Sequence, residues 1–288
     1  MIYTFIAGRC SDLPVATCCR VMKVSTSGFY QWRAQPVSDR DWADALLTSA
    51  IVDIHQMSRR SYGSPRVHAA LRLGEGIRCS RKRVERLMRQ AGIQGVYRRR
   101  GRGCTRRDPA AVPNDDLVGR QFNPLGPDRL WVMDVTEHPT GEGKVYLAAV
   151  LDAFSRRVVG WSIADHIRSE LVVDALQMAI WRRQPAQGQT IAHSDHGTQY
   201  TSWAFGRRLR NVGLLGSMGS IGDAFDNAVA ESFFGTLQLE LLDEHHWDTR
   251  DQLANAIFDW IECWYNPRRR HSYCGQLSPV DYETATAT

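Results

Sequence analysis

Three acids in this chain occupy contexts that suit a metal-binding carboxylate. Asp134 lies inside the apolar, strand-like run Leu130-Trp131-Val132-Met133-Asp134-Val135. Asp195 ends a second such run, Thr190-Ile191-Ala192-His193-Ser194, where His196-Gly197-Thr198-Gln199 breaks the strand. Glu231 lies on a helix-like segment, Asp226 to Leu241, and thirty-five residues separate it from Asp195. Acids drawn from two strands and a helix can hold two divalent ions ~3.5–4 Å apart, the arrangement that drives in-line displacement at phosphorus. Hard cations such as Mg²⁺, with Mn²⁺ as a substitute, prefer carboxylate oxygens. Without metal, clustered carboxylates repel and one pKa rises. Taken singly, Asp195 also reads as a turn former and Glu231 as a surface acid. Asp134 is harder to read that way, because an unpaired charge among apolar neighbours is costly.

The elements that must position these acids follow from periodicity. Leu130 to Val135, Val145 to Leu151, Val158 to Ile163, Thr190 to Ser194 and Leu214 to Met218 read as strands. Leu171 to Arg182, Trp203 to Val212, the Glu231 segment and Asp251 to Tyr265 read as helices. Strands joined by hairpins and then alternating with helices predict an α/β fold with a mixed sheet. On the Glu231 helix, Ala230, Phe233, Phe234, Leu237 and Leu241 make the apolar stripe. Asn227, Glu231, Gly235 and Gln238 fall on another face, so a packed face and a DNA-contacting face can coexist. Asp226 reads as the N-cap, and Asp152 as the start of a turn.

Ahead of this core the chain is basic. From Arg59 to Arg107 there are sixteen Arg or Lys against two acids, Glu75 and Glu85, while the whole 288-residue chain nets +5. Phosphate binding is the expected use, since each neutralised phosphate releases counterions; a solvated helix face is the alternative. Ser80 caps a helix from Arg81 to Ala91 whose buried stripe is Val84, Leu87 and Met88. Its Arg81, Lys82, Arg83 and Arg86 suit a DNA groove. Arg98, Arg99 and Arg100 open an Arg- and Gly-rich linker expected to track the phosphate backbone. Leu13 to Trp32 reads as two short helices, either a helix-turn-helix or a small helical packing unit. The expected divisions are a helical region 1–58, a basic DNA-binding module with its linker 59–108, a further linker 109–127, a catalytic core 128–245 and a C-terminal helix and tail 246–288.

Composition narrows the setting. Hydrophobic residues make up 43%, enough for a core, and no apolar run approaches a membrane span. The first residues are too short for a signal peptide, so a cytoplasmic location is expected. Seven cysteines without a Cys-x-x-Cys pair predict reduced thiols and neither disulfides nor a zinc site.

The motifs carry a resemblance over about Tyr62 to Asp281. The runs Trp131-Val132-Met133-Asp134-Val135-Thr136, His193-Ser194-Asp195-His196-Gly197-Thr198-Gln199-Tyr200-Thr201-Ser202 and Asp226-Asn227-Ala228-Val229-Ala230-Glu231-Ser232-Phe233-Phe234 look like the three carboxylate motifs of transposases related to retroviral integrases. With the runs Val150 to Trp161 and Trp264 to Ser272, the chain resembles the second-frame transposase of insertion-sequence family three. The resemblance implies a ribonuclease H-like core, a mixed five-stranded sheet with flanking helices after a small all-α basic N-terminal region. Strand one would lie beside strand four, bringing Asp134 next to Asp195. It further implies Mg²⁺-dependent cleavage at element ends and joining to target DNA, a homo-oligomer on DNA, and fusion to an upstream-frame product.

The chain departs from that pattern at Gln238, where relatives often carry a basic residue, at His196, and at Glu137-His138. These departures touch substrate contacts and leave the carboxylates intact. Two other functions compete: a ribonuclease H-like nuclease that only hydrolyses, and a non-catalytic DNA-binding regulator. The basic module and Arg268-Arg269-Arg270 argue for extensive DNA engagement and so for the transposase.

Overall fold

The nearly continuous apolar run Leu130 to Val135 builds the central strand of a sheet in the computed structural model, which describes residues 2–10, 12–35, 37–97, 124–194, 200, 203–218 and 228–287. These residues fall into two compact units, Met1–Gly95 and Val96–Thr288.

In the first unit the described helices are α1 (Ile2–Arg9), α2 (Val15–Val21), α3 (Thr26–Ala34), α4 (Asp39–Met57), α5 (Ser64–Leu73) and α6 (Arg81–Gln90). Ile6, Cys18, Cys19 and Phe29 bury one another among α1 to α3. Ser25 caps α3 by accepting from Gly28 N–H at 3.2 Å. A second packing set joins α4, α5 and α6, with Ile51, Val67, Leu71, Val84 and Leu87 buried. Ser80 caps α6 as its position predicts, accepting from Arg83 N–H at 3.2 Å.

The second unit carries β1 (Leu130–Thr140), β2 (Gly143–Asp152), β3 (Val158–Ala164), α7 (Ser169–Arg183), β4 (Ile191–Ser194), α8 (Trp203–Val212), β5 (Leu215–Met218), α9 (Ala228–Glu240), α10 (Arg250–Asp259), a π-helical turn Trp260–Tyr265 and α11 (Pro279–Thr286). The sheet order is β3-β2-β1-β4-β5. β2 runs antiparallel to β1 and β3, while β4 is parallel to β1 and β5. This is the mixed five-stranded sheet with flanking helices of a ribonuclease H-like core, and the N-terminal region is helical. β1 runs past its expected end at Val135, through Pro139, because its hairpin with β2 continues to the pair Thr140–Gly143.

One face of the sheet is a continuous apolar layer. Trp131 and Met133 of β1 pack there with Leu171, Val172, Ala175 and Leu176 of α7 and Phe205 and Leu209 of α8, and Val135 lies against them. Gly160 of β3 permits the close approach of α7: a Cβ there would fall 2.2 Å from the Ala175 carbonyl oxygen. No described helix is long and apolar enough to cross a membrane.

Candidate active site and nucleic-acid interface

Side chains alternate across a strand, so Asp134 points to the face opposite Trp131, Met133 and Val135. The helix that packs on β1 and contributes nothing to that first layer is α9. Its buried residues are Val229, Ala230, Phe233, Leu237 and Glu240. Glu231 lies in its first turn and is itself exposed, away from this stripe. Asp134 is half-buried, and its Oδ1 accepts the Val135 N–H at 2.8 Å. Thus the strand carrying Asp134 and the helix carrying Glu231 pack together.

β4 approaches from the other side of β1. Its last described residue, Ser194, is the register partner of Met133, the neighbour of Asp134. Asp195, next in sequence, lies outside the described residues, as do His196, Asp226 and Asn227. Among the described residues no group of three or more His, Cys, Asp or Glu gathers as a metal site. His193 is buried and contacts Ser217 Oγ through Nδ1 at 3.2 Å, a bond between adjacent strands.

The structure gives Gln238 an intramolecular partner: its amide donates to the Asp243 carboxylate. The same Asp243 acts on His138, whose pKa is lowered by burial and raised back in part by that charge. Asp152 is a turn former, accepting from Phe154 N–H at 2.8 Å and Ser155 N–H at 3.1 Å.

In the first unit, Arg81, Lys82, Arg83 and Arg86 all lie on α6, with Arg81 and Lys82 exposed. Arg83 Nε and Arg86 Nη2 each donate to one oxygen of Asp44 on α4, both at 2.7 Å. Their hydrogen bonds, Arg86 first and Arg83 next, hold the Asp44 carboxyl below its ordinary range. An open concavity is lined by Arg40, Ala43, Ser80, Lys82, Arg83 and Arg86. Sequence reading missed Arg40, because it lies outside the basic run and only the packing of α4 on α6 brings it there. Arg98, Arg99 and Arg100 lie outside the described residues. Two of the three C-terminal arginines differ from expectation: Arg269 is buried against Glu240, and Arg270 donates to the Gln276 carbonyl at 2.9 Å, whereas Arg268 is exposed.

Family models for an Integrase core domain match residues 124–224 and 231–286, and one for an HTH-like domain matches residues 41–101. The chain is 35% identical over 285 residues to the Transposase InsF for insertion sequence IS3A of Escherichia coli (strain K12), with 98% of each chain covered. A solved structure of the HTLV-2 integrase catalytic core domain in complex with magnesium is 18% identical, covers 55% of this chain and 98% of its own, and gives a TM-score of 0.42. A simian T-cell lymphotropic virus intasome in complex with PP2A regulatory subunit B56 gamma is 15% identical, covers 81% of this chain and 74% of its own, with a TM-score of 0.47.

Proposed function

The chain belongs to the IS3 family of insertion-sequence transposases, and from that membership we propose that Asp134, Asp195 and Glu231 form its catalytic carboxylate triad. It is a DNA transposase with an integrase core. The observation that carries the triad is the packing of α9, with Glu231 in its first turn, on the strand and sheet face that hold Asp134. The reaction is a strand transfer: a freed 3′-hydroxyl oxygen forms a bond to a target phosphorus, and the bond from that phosphorus to its own 3′-oxygen breaks.

The donors suit a hard divalent cation, since Asp134 and Glu231 offer carboxylate oxygen and no sulfur. Bound by the three acids, one or two Mg²⁺ ions, or Mn²⁺ in their place, would supply Lewis acidity at the phosphate and activation of the attacking hydroxyl. The Val135 N–H orients the Asp134 carboxylate. Arg81, Lys82, Arg83 and Arg86, with Arg40, would contact phosphates, and Arg98, Arg99, Arg100 and Asn227 would extend that contact. Joining two element ends to one target calls for a homo-oligomer on DNA. Fusion to an upstream-frame product and work in the bacterial cytosol complete the reading.

The test is strand transfer with a labelled element end by Asp134→Asn, Asp195→Asn and Glu231→Gln. Each variant should drop to background while folding and DNA binding in Ca²⁺ persist, because packing does not need the charge. Near-normal joining by any one removes that residue from the triad. Hydrolysis without joining by the parent chain would favour a nuclease.

A further inference from the structure

The run Trp264 to Ser272 lies in a segment that grips the Glu231 helix from behind. The π-helical turn Trp260–Tyr265 leads into it, marked by the bond from Asn266 N–H to the Ile261 carbonyl at 3.1 Å. Such a turn inserts one extra residue and so rotates the downstream side chains by roughly 100° relative to a straight helix. Two contacts then reach α9. The Tyr265 ring meets Phe233 edge-on, centroids 5.1 Å apart, and Phe233 lies two residues after Glu231. Arg269 forks onto Glu240, the last residue of α9, with Nε to Oε2 at 2.8 Å and Nη2 to Oε1 at 2.7 Å. Both partners are nearly sealed from solvent, Arg269 at 3% and Glu240 at 7% exposed.

The same segment is fastened to the sheet. The Asn266 side chain pairs with edge strand β3 as a backbone would: Val158 N–H donates to Oδ1 at 2.9 Å and Nδ2 donates to the Val158 carbonyl at 2.9 Å. The Tyr265 hydroxyl donates to the Arg156 carbonyl at 3.1 Å. Glu262 accepts from Trp161 Nε1 on β3 at 2.7 Å and from Arg182 on α7 at 2.8 Å. Apolar packing alone leaves a helix free to rotate and slide by small amounts, since dispersion and hydrophobic burial have little direction. A bidentate guanidinium–carboxylate pair has direction. Buried ion pairs are poor stabilisers, because desolvation offsets their attraction, so stability is a weak reason for this one.

We propose that Arg269 is a positioning residue for Glu231: through Glu240, and with Tyr265 against Phe233, it fixes the rotation and axial position of α9 relative to the strand that carries Asp134. The proposal rests on the reading of Glu231 as catalytic.

The test uses the full chain with Arg269→Lys, which keeps the charge and loses the fork, and Glu240→Gln, which keeps the shape and loses the charge. Each is followed by thermal melting, hydrogen exchange of peptides from 228–240, and strand-transfer rate against Mn²⁺ concentration. Expected are a folded protein, faster exchange in α9 than in α7, a roughly 10- to 100-fold lower rate and a raised half-saturating Mn²⁺, the range typical for partners that orient metal ligands. A lowered melting temperature with unchanged rate and Mn²⁺ dependence overturns the proposal, and so does loss of folding in both variants. Glu231→Gln runs in parallel. If it retains strand transfer, the triad reading fails, whereas the exchange of α9 still reports whether Arg269 holds the helix.

Discussion

Arg183 and Glu283, a hundred residues apart, meet fork to fork: Nη1 donates to Oε2 at 2.9 Å and Nη2 to Oε1 at 3.1 Å. Arg183 ends α7 and Glu283 lies on α11, so the pair ties the C-terminal helix to the core. Asp128, Ser155 and Arg157 join the same network. Burial would raise the Glu283 carboxyl, but the Arg183 charge and the hydrogen bonds from Arg183, Ser155 and Arg157 hold it below its ordinary 4.5. A depressed folded-state pKa contributes stability that is full above the unfolded value and is lost as pH falls through the folded one. Glu283→Gln should therefore be less stable than the parent at neutral pH. The difference should hold down to about pH 4.5 and shrink below it. Denaturant melts of both proteins from pH 7 to pH 3 check this; a gap that widens on acidification would reverse the sign. Asp152, pushed up to about 6 by burial against the pull of backbone N–H donors, works in the opposite sense in both proteins.

Gly160→Ala should destabilise the core. The added Cβ would meet the Ala175 carbonyl oxygen at 2.2 Å and the Ala179 nitrogen at 2.6 Å, both backbone atoms of α7. A helix backbone cannot yield as a flexible side chain does, so α7 must move off β3. Overpacking of this kind costs about 1–3 kcal/mol, which lowers the melting temperature by roughly 2–4 °C per kcal/mol in a unit of this size. An unchanged melting temperature would mean that α7 and β3 are not in close contact in solution.

Local pattern is legible in this sequence. The five strands, the Ser80 cap and the buried stripe Val84, Leu87, Met88 follow from periodicity and capping chemistry. The start of α11 carries a local signal too, one that the expected elements leave out: Ser278 before Pro279 is a helix-start pair, and Ser278 Oγ accepts the Asp281 N–H at 3.1 Å. The long-range pairs are not legible. Arg83 and Arg86 reach Asp44 across 39 and 42 residues, and Arg269 reaches Glu240 across 29. A charge on a helix face looks solvated until another element covers it, and only tertiary packing decides which element does. The same holds for Arg268-Arg269-Arg270, where a run of like charge suggests DNA and burial takes Arg269 inward.

Four of the five basic residues on α6, Arg81, Lys82, Arg83 and Arg86, should separate into two pairs. Arg81→Ala with Lys82→Ala removes exposed charge and should lower the slope of log affinity against log salt by up to about 1.8, at about 0.9 per lost phosphate contact. Melting should not change. Arg83→Ala with Arg86→Ala also removes both guanidinium partners of Asp44, whose side chain is 14% exposed. That variant should melt lower, and adding Asp44→Ala should recover part of the loss by removing the stranded carboxylate. Equal melting temperatures for the two double variants would contradict the Asp44 pairing.

Gln238→Lys tests whether the end of α9 can reach DNA. The family resemblance implies a basic residue here, and in isolation a lysine would tighten end binding. In this chain the position already faces Asp243, which accepts from the Gln238 amide. A new ammonium would meet that carboxylate before it met a phosphate. An exposed ion pair of this kind contributes about 0–1 kcal/mol, comparable to what one exposed phosphate contact would give. Gln238→Lys alone should therefore bind element ends as the parent does at both low and high salt. Adding Asp243→Asn removes the competing carboxylate and its repulsion of phosphate together. The paired variant should bind more tightly at low salt, and the gain should fade as salt rises, because exposed charges are screened beyond about one Debye length. Asp243→Asn alone supplies the control for the repulsion. Tighter binding by Gln238→Lys without the second substitution would show that Asp243 does not hold the side chain, and the helix face would then run from Glu231 through residue 238 to the DNA.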